Sequence, residues 1–174
     1  MAMNINYFLS FVLLGLVMIY VFFEPMDIQK QNHKEVPLFS LDKFTLHELD
    51  TFGLTTTMTG SEAKRYSNRY DVKNIDYTDN SKEYTANMKA KHGLYKREIL
   101  YLDGDVFFSR EDGLKYFSQK TVYNKKKDVA SSNVDYVAMM GENQVYGTSI
   151  TVNNKQDRMN SKNVYAIYKI KENK

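Results

Sequence analysis

The sequence predicts an all-β fold that follows one apolar N-terminal helix, and three observations support this prediction. Tyr (14) and Phe (10) are abundant among the 174 residues while Pro occurs twice, and an aromatic-rich, Pro-poor composition favours strands. From about Phe39 onward, short apolar segments alternate with turn signals, which is typical of a sandwich, roll or barrel of short strands. The segment from Ile5 to Phe23 differs from this pattern, because it is almost wholly apolar.

The apolar segment has the length of a membrane span. Nineteen helical residues at about 1.5 Å each extend roughly 28 Å, close to the thickness of the hydrocarbon core of a bilayer. Pro25 disfavours helical geometry at Glu24 and ends the segment. A buried core helix would show a polar face, and a cleavable signal peptide would end in small residues, whereas Val21–Met26 contains none. Residues 1–24 are therefore predicted to form an uncleaved anchor.

The segment after the anchor, residues 25–38, is polar and charged and is predicted to be a linker. Lys30 and Lys34 follow the span and no basic residue precedes it, so the positive-inside rule weakly favours a cytoplasmic C-terminus. Long domains are often translocated regardless of flanking charge. The residues alone therefore leave the orientation open.

The remaining region, residues 39–171, is predicted to be one β domain. Its strand candidates are Phe44–Leu49, Leu54–Thr59, Arg69–Tyr77, Ile99–Leu102, Val106–Ser109, Leu114–Ser118, Val134–Met139, Gln144–Val152 and Val164–Ile170. Turns are predicted at Asp50–Gly53, Thr78–Ser81, Asp103-Gly104, Glu111–Gly113 and Gly141–Asn143.

A degenerate repeat of about 29 residues runs through this domain. Small residues recur at Ser61, Ala90, Ser118 and Gly147. Bulky residues follow five positions later at Tyr66, Tyr95, Tyr123 and Val152, and again one strand later at Tyr77, Val106, Val134 and Val164. Two strands and two turns fit one unit, and about four stacked units would form an elongated β-roll or open barrel. The alternative is that the repeat arises by chance, because Tyr is common in this chain.

The last predicted strand has apolar residues on both faces. Val164, Ala166, Tyr168 and Ile170 share one face, and Tyr165 and Ile167 share the other. Such a strand is either buried on both sides or an exposed edge that another β protein covers by strand addition. The residues do not decide between the two.

The sequence contains no pattern that indicates an enzyme, a metal site or a cofactor. Cys is absent, His33, His47 and His92 have no metal-ligand spacing, and there is no nucleotide-binding loop or nucleophile elbow. Asp103-Gly104-Asp105 is interpreted as a turn, because the rest of a metal-binding loop is missing. Lys125–Asp128 is interpreted as a solvated basic hairpin tip in preference to a site for phosphates, and no nucleic-acid partner is predicted. After Asp27 the chain has 24 basic and 19 acidic residues, an excess that suits either an acidic ligand or an ordinary solvated surface.

Several segments resemble the LptC family, the single-span component of the lipopolysaccharide export machine. Phe44–Leu54 resembles the family's opening strands, and Ala63–Tyr66 followed by Arg69–Val72 resembles its next unit. Ala90–Tyr95 and Leu102–Val106 are similar to the element shared with the soluble bridge protein LptA. The resemblance covers the anchor and most of the β domain. The chain departs from the family where Val129–Val134 replaces an expected Gly turn, and where no basic residue precedes the span.

The resemblance implies a twisted β-jellyroll in the periplasm, held by a single-pass inner-membrane anchor, that carries lipopolysaccharide from an ABC transporter to an LptA-like bridge. ATP would be hydrolysed elsewhere. The residues expected to line the interior and contact lipid are Leu46, Met58, Tyr66, Tyr77, Tyr95, Leu100, Leu102, Val106, Phe108, Tyr123 and Val134. The residues expected to join the bridge protein are Val164, Tyr165, Ala166, Ile167 and Tyr168.

Three alternatives to this relay remain at the level of sequence, and one of them is a domain that faces the cytoplasm. The interior residues could be ordinary packed core in a closed scaffold domain that binds only proteins. A membrane-anchored enzyme acting on cell-wall sugars would instead need paired carboxylates in a cleft, and Asp103 and Asp105 are the candidates.

Overall fold

A computed structural model describes residues 12–14, 16–18, 20, 36–51 and 53–169. The chain divides into two units, Met1–Glu35 and Val36–Lys174. In the first unit the described residues are helical and their side chains are exposed. Within these described ranges, no helix has both the length and the apolar character needed to cross a membrane. Most of the predicted anchor and linker lies outside the described residues.

The second unit is an all-β domain, as predicted, built from antiparallel strands. Its strands are β1 Phe39–Asp50, β2 Gly53–Arg65, β3 Tyr70–Asp79, β4 Ala86–Lys96, β5 Ile99–Arg110, β6 Leu114–Asn124, β7 Val129–Ser132, β8 Tyr136–Met140, β9 Asn143–Gly147, β10 Ser149–Asn153, β11 Arg158–Lys162 and β12 Tyr165–Ile167. A short 3-10 turn, Asn154–Gln156, joins β10 to β11.

The sheet begins as a meander and then divides. Strands β1 to β6 pair in chain order. Residues 122–124 of β6 pair with β7, and residues 114–118 of the same strand pair with β8. Two branches follow, one in the order β7-β10-β11 and the other in the order β8-β9-β12. The division separates the end of the domain into two layers.

The long strands bend along one line, which we call the corner. Lys43, Asn74 and Asp105 have φ near 50° on β1, β3 and β5, and the pairing register shifts beside Asp105. Bulges of this kind bend a strand and increase its twist. Layer 1 therefore contains residues 44–50, 53–60, 75–79, 86–90, 106–110 and 114–118 with β8, β9 and β12, and layer 2 contains the other halves of the long strands with β7, β10 and β11.

The inner faces of the two layers pack against each other. Ile75, Ala90 and Val106 of layer 1 form a buried cluster with Leu102 of layer 2. The partly buried residues that surround the cluster are Met58, Val72, Tyr77, Met88 and Leu100. No described side chain is less than 2% exposed. The interior is therefore apolar but only loosely closed.

The corner explains the small residues of the sequence repeat. Ala90, Ser118 and Gly147 are buried there, and Ser118 Oγ contacts Ser132 Oγ at 3.0 Å. A Cβ on Gly147 would lie 2.6 Å from Tyr136 Cε1, which leaves no room for a side chain. Ser61 is exposed, and its half-buried neighbour Gly60 lies against the Phe44 ring.

Several predicted strand boundaries are wrong. Ile99–Leu102 and Val106–Ser109 form the single strand β5, because Gly104 (φ 79°) and Asp105 make a bulge at the corner instead of a hairpin turn. The predicted strand Gln144–Val152 is divided into β9 and β10 at the same corner. Strands β4, β7 and β11 were not predicted, and β7 occupies Val129–Ser132, where a Gly turn was expected.

Candidate functional site

One continuous row of side chains crosses the inner face of layer 1. The register pairs each member with the next, from β1 to β12, and the row contains no charged residue. Its members are Leu46, Met58, Tyr77, Met88, Phe108, Tyr116, Ala138, Val145 and Ala166. Because the side-chain period of a strand is two, all nine lie on the face that carries the buried cluster. We call this set the layer 1 row.

A second row crosses the inner face of layer 2. Its members are Phe39, Arg65, Tyr70, Tyr95, Leu100, Tyr123, Ala130, Val152 and Met159. The one charged member, Arg65, places its guanidinium 5.3 Å from the centre of the Tyr70 ring, a distance within the range of a cation–π contact. This layer 2 row and the layer 1 row line the two inner walls of the domain with apolar and aromatic side chains.

The structure brings together most of the residues that were predicted to line the interior. Four of them belong to the layer 1 row: Leu46, Met58, Tyr77 and Phe108. Three belong to the layer 2 row: Tyr95, Leu100 and Tyr123. Leu102 and Val106 are buried in the core cluster between the rows. Leu46, at the free end of its row, remains 48% exposed.

Two predicted interior residues lie outside both rows. Tyr66 follows the end of β2, where the Arg69 guanidinium stacks 4.0 Å from its ring centre. Val134 lies in the turn between β7 and β8, where its backbone N–H donates to Ser132 Oγ. The repeat marked both residues as bulky positions, and Val134 also began a predicted strand, but the chain turns at both points.

Four members of the layer 1 row were not predicted from the sequence, namely Met88, Tyr116, Ala138 and Val145. Met88 was missed because β4 was not predicted. The alternation of Ala86, Met88 and Ala90 with Asn87 and Lys89 is the signal that indicates a half-buried strand there.

The last strand is an exposed edge. Strand β12 pairs with β9 on one side, and among the described strands none pairs with its other side. The five residues predicted to bind a partner, Val164 to Tyr168, are all exposed, and Tyr165 is 65% exposed. The strand is shorter than predicted, since pairing is limited to Tyr165–Ile167. Ile170, included in the predicted strand, lies outside the described residues.

The outer face of layer 1 becomes apolar beside this edge. The outer row begins with Thr45, Thr59, Asp76 and Lys89 and continues with Phe107, Phe117, Val137, Tyr146 and Tyr165. The Phe107 and Phe117 ring centres are 4.7 Å apart. Phe107, Phe117, Val137 and Tyr146 border an open groove of about 730 Å³ that reaches Asp135 and Asn163. In the sequence, Phe107 indicates this surface, because it is apolar and lies on the strand face opposite Phe108.

The two carboxylates considered for catalysis form exposed ion pairs at the corner. Lys91 Nζ lies 2.7 Å from Asp105, and Lys120 Nζ lies 3.2 Å from Asp103. The hydrogen bond from Lys91, together with one from Gln119, lowers the pKa of the Asp105 carboxyl. Asp103 and Asp105 therefore form structural ion pairs on the bent strand β5. Within the described residues, no group of three or more acidic or His side chains could hold a metal ion.

Comparison with known proteins agrees with this architecture. A search of curated proteins finds no significant sequence match. A solved structure of LptH from Pseudomonas aeruginosa, the LptA-homologous periplasmic component of its lipopolysaccharide transport device, superposes with a TM-score of 0.52. The match covers 76% of this chain and 94% of that chain at 9% identity, so it establishes a similar LptA-like jellyroll fold.

A family model identifies the group to which the chain belongs. The model for lipopolysaccharide-assembly, LptC-related proteins matches residues 7–169, which is nearly the whole sequence. Members of the LptC family are components of lipopolysaccharide transport, and the family is not known as an enzyme family. The chain is a member of the LptC-related family of lipopolysaccharide-assembly proteins.

Proposed function

We propose that this protein is a membrane-anchored periplasmic relay, which receives lipopolysaccharide from an inner-membrane ABC transporter and passes it to a soluble LptA-like bridge. The observation that carries the proposal is the pair of apolar rows that face each other inside the domain. Membership of the LptC-related family supports the same role. No bond is made or broken in this function, and the energy is supplied by the transporter.

The interior suits acyl chains for a physical reason. Each methylene group that leaves water contributes about 0.8 kcal/mol. Met58, Tyr77, Met88 and Leu100 are only half-buried, so they offer apolar surface that a lipid can cover. Met side chains also adapt their shape to an irregular ligand. The charged sugars of the lipid would stay in water along the open side of the jellyroll.

The two edges of the sheet suit the two partners. Strand β1 pairs only with β2 among the described strands and exposes Leu41 and Leu49, and we propose that it docks on the transporter. Strand β12, whose second side is free of described strands, would pair with the bridge protein by strand addition. A continuous sheet would then extend the apolar interior from one protein into the next.

The anchor and the orientation belong to the same proposal. We infer that residues 1–24 span the inner membrane once, that residues 25–38 form a tether, and that residues 39–171 form the periplasmic domain. The apolar sequence from Ile5 to Phe23 supports the span. A reporter fused after Lys174 that is active only in the periplasm tests the orientation.

Site-specific photo-crosslinking in cells tests the lipid-carrying interior. A photoreactive residue at Phe108 or Tyr116 points inward, while the same residue at the neighbouring Phe107 or Phe117 points outward on the same strand. Capture of lipopolysaccharide from the inward positions and not from the outward positions would support the proposal. Failure to capture lipid at every inward position, in protein that is folded, would rule it out.

The scaffold alternative is favoured by one observation, the aromatic outer groove beside β12. Crosslinks from Phe107 and Phe117 to a protein, combined with no lipid at Phe108 or Tyr116, would select a domain that binds only proteins.

A further inference from the structure

The hairpin tips of the β domain form two opposite borders. The strands are antiparallel and bend at the corner, so the tips of layer 1 and the tips of layer 2 lie along the side of the jellyroll that faces away from the corner. The layer 1 tips are residues 50–53, 79–86, 110–114 and 140–143. The layer 2 tips are residues 65–70, 96–99, 124–129 and 153–158. We call these two borders lip 1 and lip 2.

The two lips carry opposite charge. Lip 2 contains nine Lys or Arg residues against three acidic residues: Arg65, Arg69, Lys96, Arg97, Lys125, Lys126, Lys127, Lys155 and Arg158 against Glu98, Asp128 and Asp157. Lip 1 contains six acidic residues against two basic residues: Asp50, Asp79, Glu83, Glu111, Asp112 and Glu142 against Lys82 and Arg110. The small net charge of the whole chain conceals this separation.

The positive charge of lip 2 is concentrated on two neighbouring tips. Strand β7 pairs with β10, so the β6–β7 and β10–β11 hairpins are adjacent. Neighbouring strands are about 4.8 Å apart, which places the two tips on the order of 10 Å from each other. This separation is comparable to the Debye length of about 8 Å at physiological salt. The charges of Lys125, Lys126, Lys127 and Lys155 therefore add to one potential.

Specific hydrogen bonds hold these two tips together. The Asn154 backbone N–H donates to the Asp128 carbonyl oxygen at 3.0 Å, and Asn154 Nδ2 donates to Asp128 Oδ1 at 2.8 Å. Lys155 Nζ donates to the Lys126 carbonyl oxygen at 3.0 Å. The lysines are therefore presented by a fixed backbone.

The four lysines of these tips differ from those on the outer face. On the outer face, Lys73, Lys89, Lys91 and Lys120 each form an ion pair with an acidic side chain. Among the described residues, no ion pair within 4.0 Å involves Lys125, Lys126, Lys127 or Lys155. Lys155 also acts electrostatically on the nearby Asp128 carboxylate, and the charge of Lys125, Lys126 and Lys127 is available to an external anion.

The lysine tips adjoin the apolar interior directly. Tyr123, a member of the layer 2 row, donates its hydroxyl proton to Asp128 Oδ1 at 2.9 Å. The layer 2 row therefore passes the base of the basic tip, two positions before Lys125. An amphiphile whose chains lie on this inner face, with one end towards the layer 2 tips, would bring its headgroup to these lysines.

We propose that Lys125, Lys126, Lys127 and Lys155 form an anion-binding site for the phosphate groups of a lipid whose acyl chains occupy the interior. This inference rests on the proposed function and adds an orientation to it. The basic lip attracts the phosphorylated headgroup, and the net negative charge of lip 1 repels it, although Lys82 of lip 1 acts on Asp128. The lipid therefore enters with its anionic end towards the layer 2 tips.

Binding of three probes to the full chain in phosphatidylcholine nanodiscs tests the site. The probes are lipopolysaccharide, the same lipopolysaccharide after enzymatic removal of its phosphates, and inorganic phosphate as a competitor against an equal ionic strength of chloride. The test variant carries K125Q, K126Q, K127Q and K155Q. The matched control carries K73Q, K89Q, K91Q and K120Q, which removes the same charge from the outer face.

We expect the test variant to bind the phosphorylated lipid about tenfold more weakly, and the dephosphorylated lipid as the wild type does, because only the anionic contact is lost. The control variant should bind the phosphorylated lipid within about twofold of the wild type. The affinity of the wild type should also fall more steeply with salt for the phosphorylated lipid than for the dephosphorylated lipid. This test needs no variant.

Other results would overturn the site or the function separately. Equal affinity of the wild type for both lipids, or equal loss in the test and control variants, would overturn the anion site and leave the relay intact. Inorganic phosphate could compete better than chloride while the wild type binds the phosphorylated lipid no more tightly than the dephosphorylated one. That result would show that the lysines bind free phosphate and not a lipid headgroup. Absence of binding to either lipid by the folded wild type would contradict the proposed function itself.

Discussion

At the scale of single residues, the corner of the β domain depends on small side chains. Gly147 is buried against the Tyr136 ring, and a Cβ there would also lie 2.8 Å from Ser161 Oγ. The Tyr136 hydroxyl hydrogen-bonds to the same Ser161 Oγ, so neither side chain can move without breaking that hydrogen bond. A fully occupied environment of this kind resists any added atom.

We therefore expect Gly147→Ala to destabilise the domain by about 1–3 kcal/mol, as overpacking does. Gly93→Ala is a matched control, because a Cβ at that buried strand position would lie 3.6 Å or more from Ile75 and Leu102, which is ordinary contact. Urea denaturation of both variants measures the difference. Equal losses for the two variants would contradict the role of the close contact at the corner.

A second prediction at this scale concerns the hydrogen bond between Tyr123 and Asp128. Burial, assisted by that hydrogen bond and by the Asp128 charge, raises the pKa of Tyr123 to about 12. In Asp128→Asn the carboxylate is lost and the burial remains, so the pKa of Tyr123 should fall but stay above its ordinary value. Ultraviolet titration, with Tyr123→Phe to identify the signal, measures this change. An unchanged titration would show that Asp128 has no influence on the ring.

The Asp128 carboxyl also predicts a dependence of stability on pH. A hydrogen bond from Asn154, followed by a smaller one from Tyr123, lowers the pKa of Asp128 in the folded protein. Its contribution to stability is therefore complete above its ordinary pKa and is lost as the pH falls through the lower folded-state value. Asp128→Asn should remove that part of the acid-dependent loss of stability, as thermal denaturation across acidic pH would show.

At the scale of elements, the two terminal strands of the divided sheet are not equivalent. Strand β12 ends layer 1 and continues into the aromatic outer row through Tyr165, whose ring centre is 6.1 Å from that of Tyr146. Strand β11 ends layer 2 and exposes Met159 between polar neighbours. An added strand would therefore gain cross-strand apolar contacts at β12 that β11 does not offer.

We expect Tyr165→Lys combined with Ile167→Lys to abolish binding of an LptA-like partner while lowering the stability of the domain by no more than about 1.5 kcal/mol, because both side chains are exposed and the ring contact of Tyr165 with Tyr146 is lost. Met159→Lys on β11 serves as the matched edge control and should bind normally. Pull-down and thermal denaturation measure the two properties. Normal binding by the double variant, or loss of binding in the control, would place the contact with the partner on another surface.

At the scale of the whole molecule, the β domain has its own apolar core and a sheet that is complete within residues 39–167. The chain divides at Glu35 into the unit that contains the apolar N-terminal segment and the unit that contains the sheet. A domain with its own core usually folds alone.

We therefore expect the fragment Val36–Lys174 to unfold in one cooperative transition and to remain in the soluble fraction of cells, whereas the full chain should sediment with membranes. Chemical denaturation and cell fractionation provide the measurements. A fragment that fails to fold, or a full chain found in the soluble fraction after carbonate washing, would contradict the domain division or the anchor.

The sequence by itself determined the all-β class, the family and much of the inner lining. Alternating apolar residues and turn residues act locally, so the tips at Asp50–Gly53 and Glu111–Gly113 and interior positions such as Met58 and Phe108 could be predicted from nearest neighbours in the chain. The small residues of the repeat could be recognised as a pattern, but not as a corner.

The tertiary structure alone decided where the strands bend and what the bends bring together. Asp103-Gly104 has the composition of a hairpin turn, yet pairing with β4 and β6 on both sides keeps β5 continuous and turns the same residues into a bulge. The opposite charge of the two lips arises from tips that are distant in sequence, such as Lys126 and Lys155, and that meet only when β7 pairs with β10. Such features depend on pairing between remote segments, and no local pattern of residues contains that information.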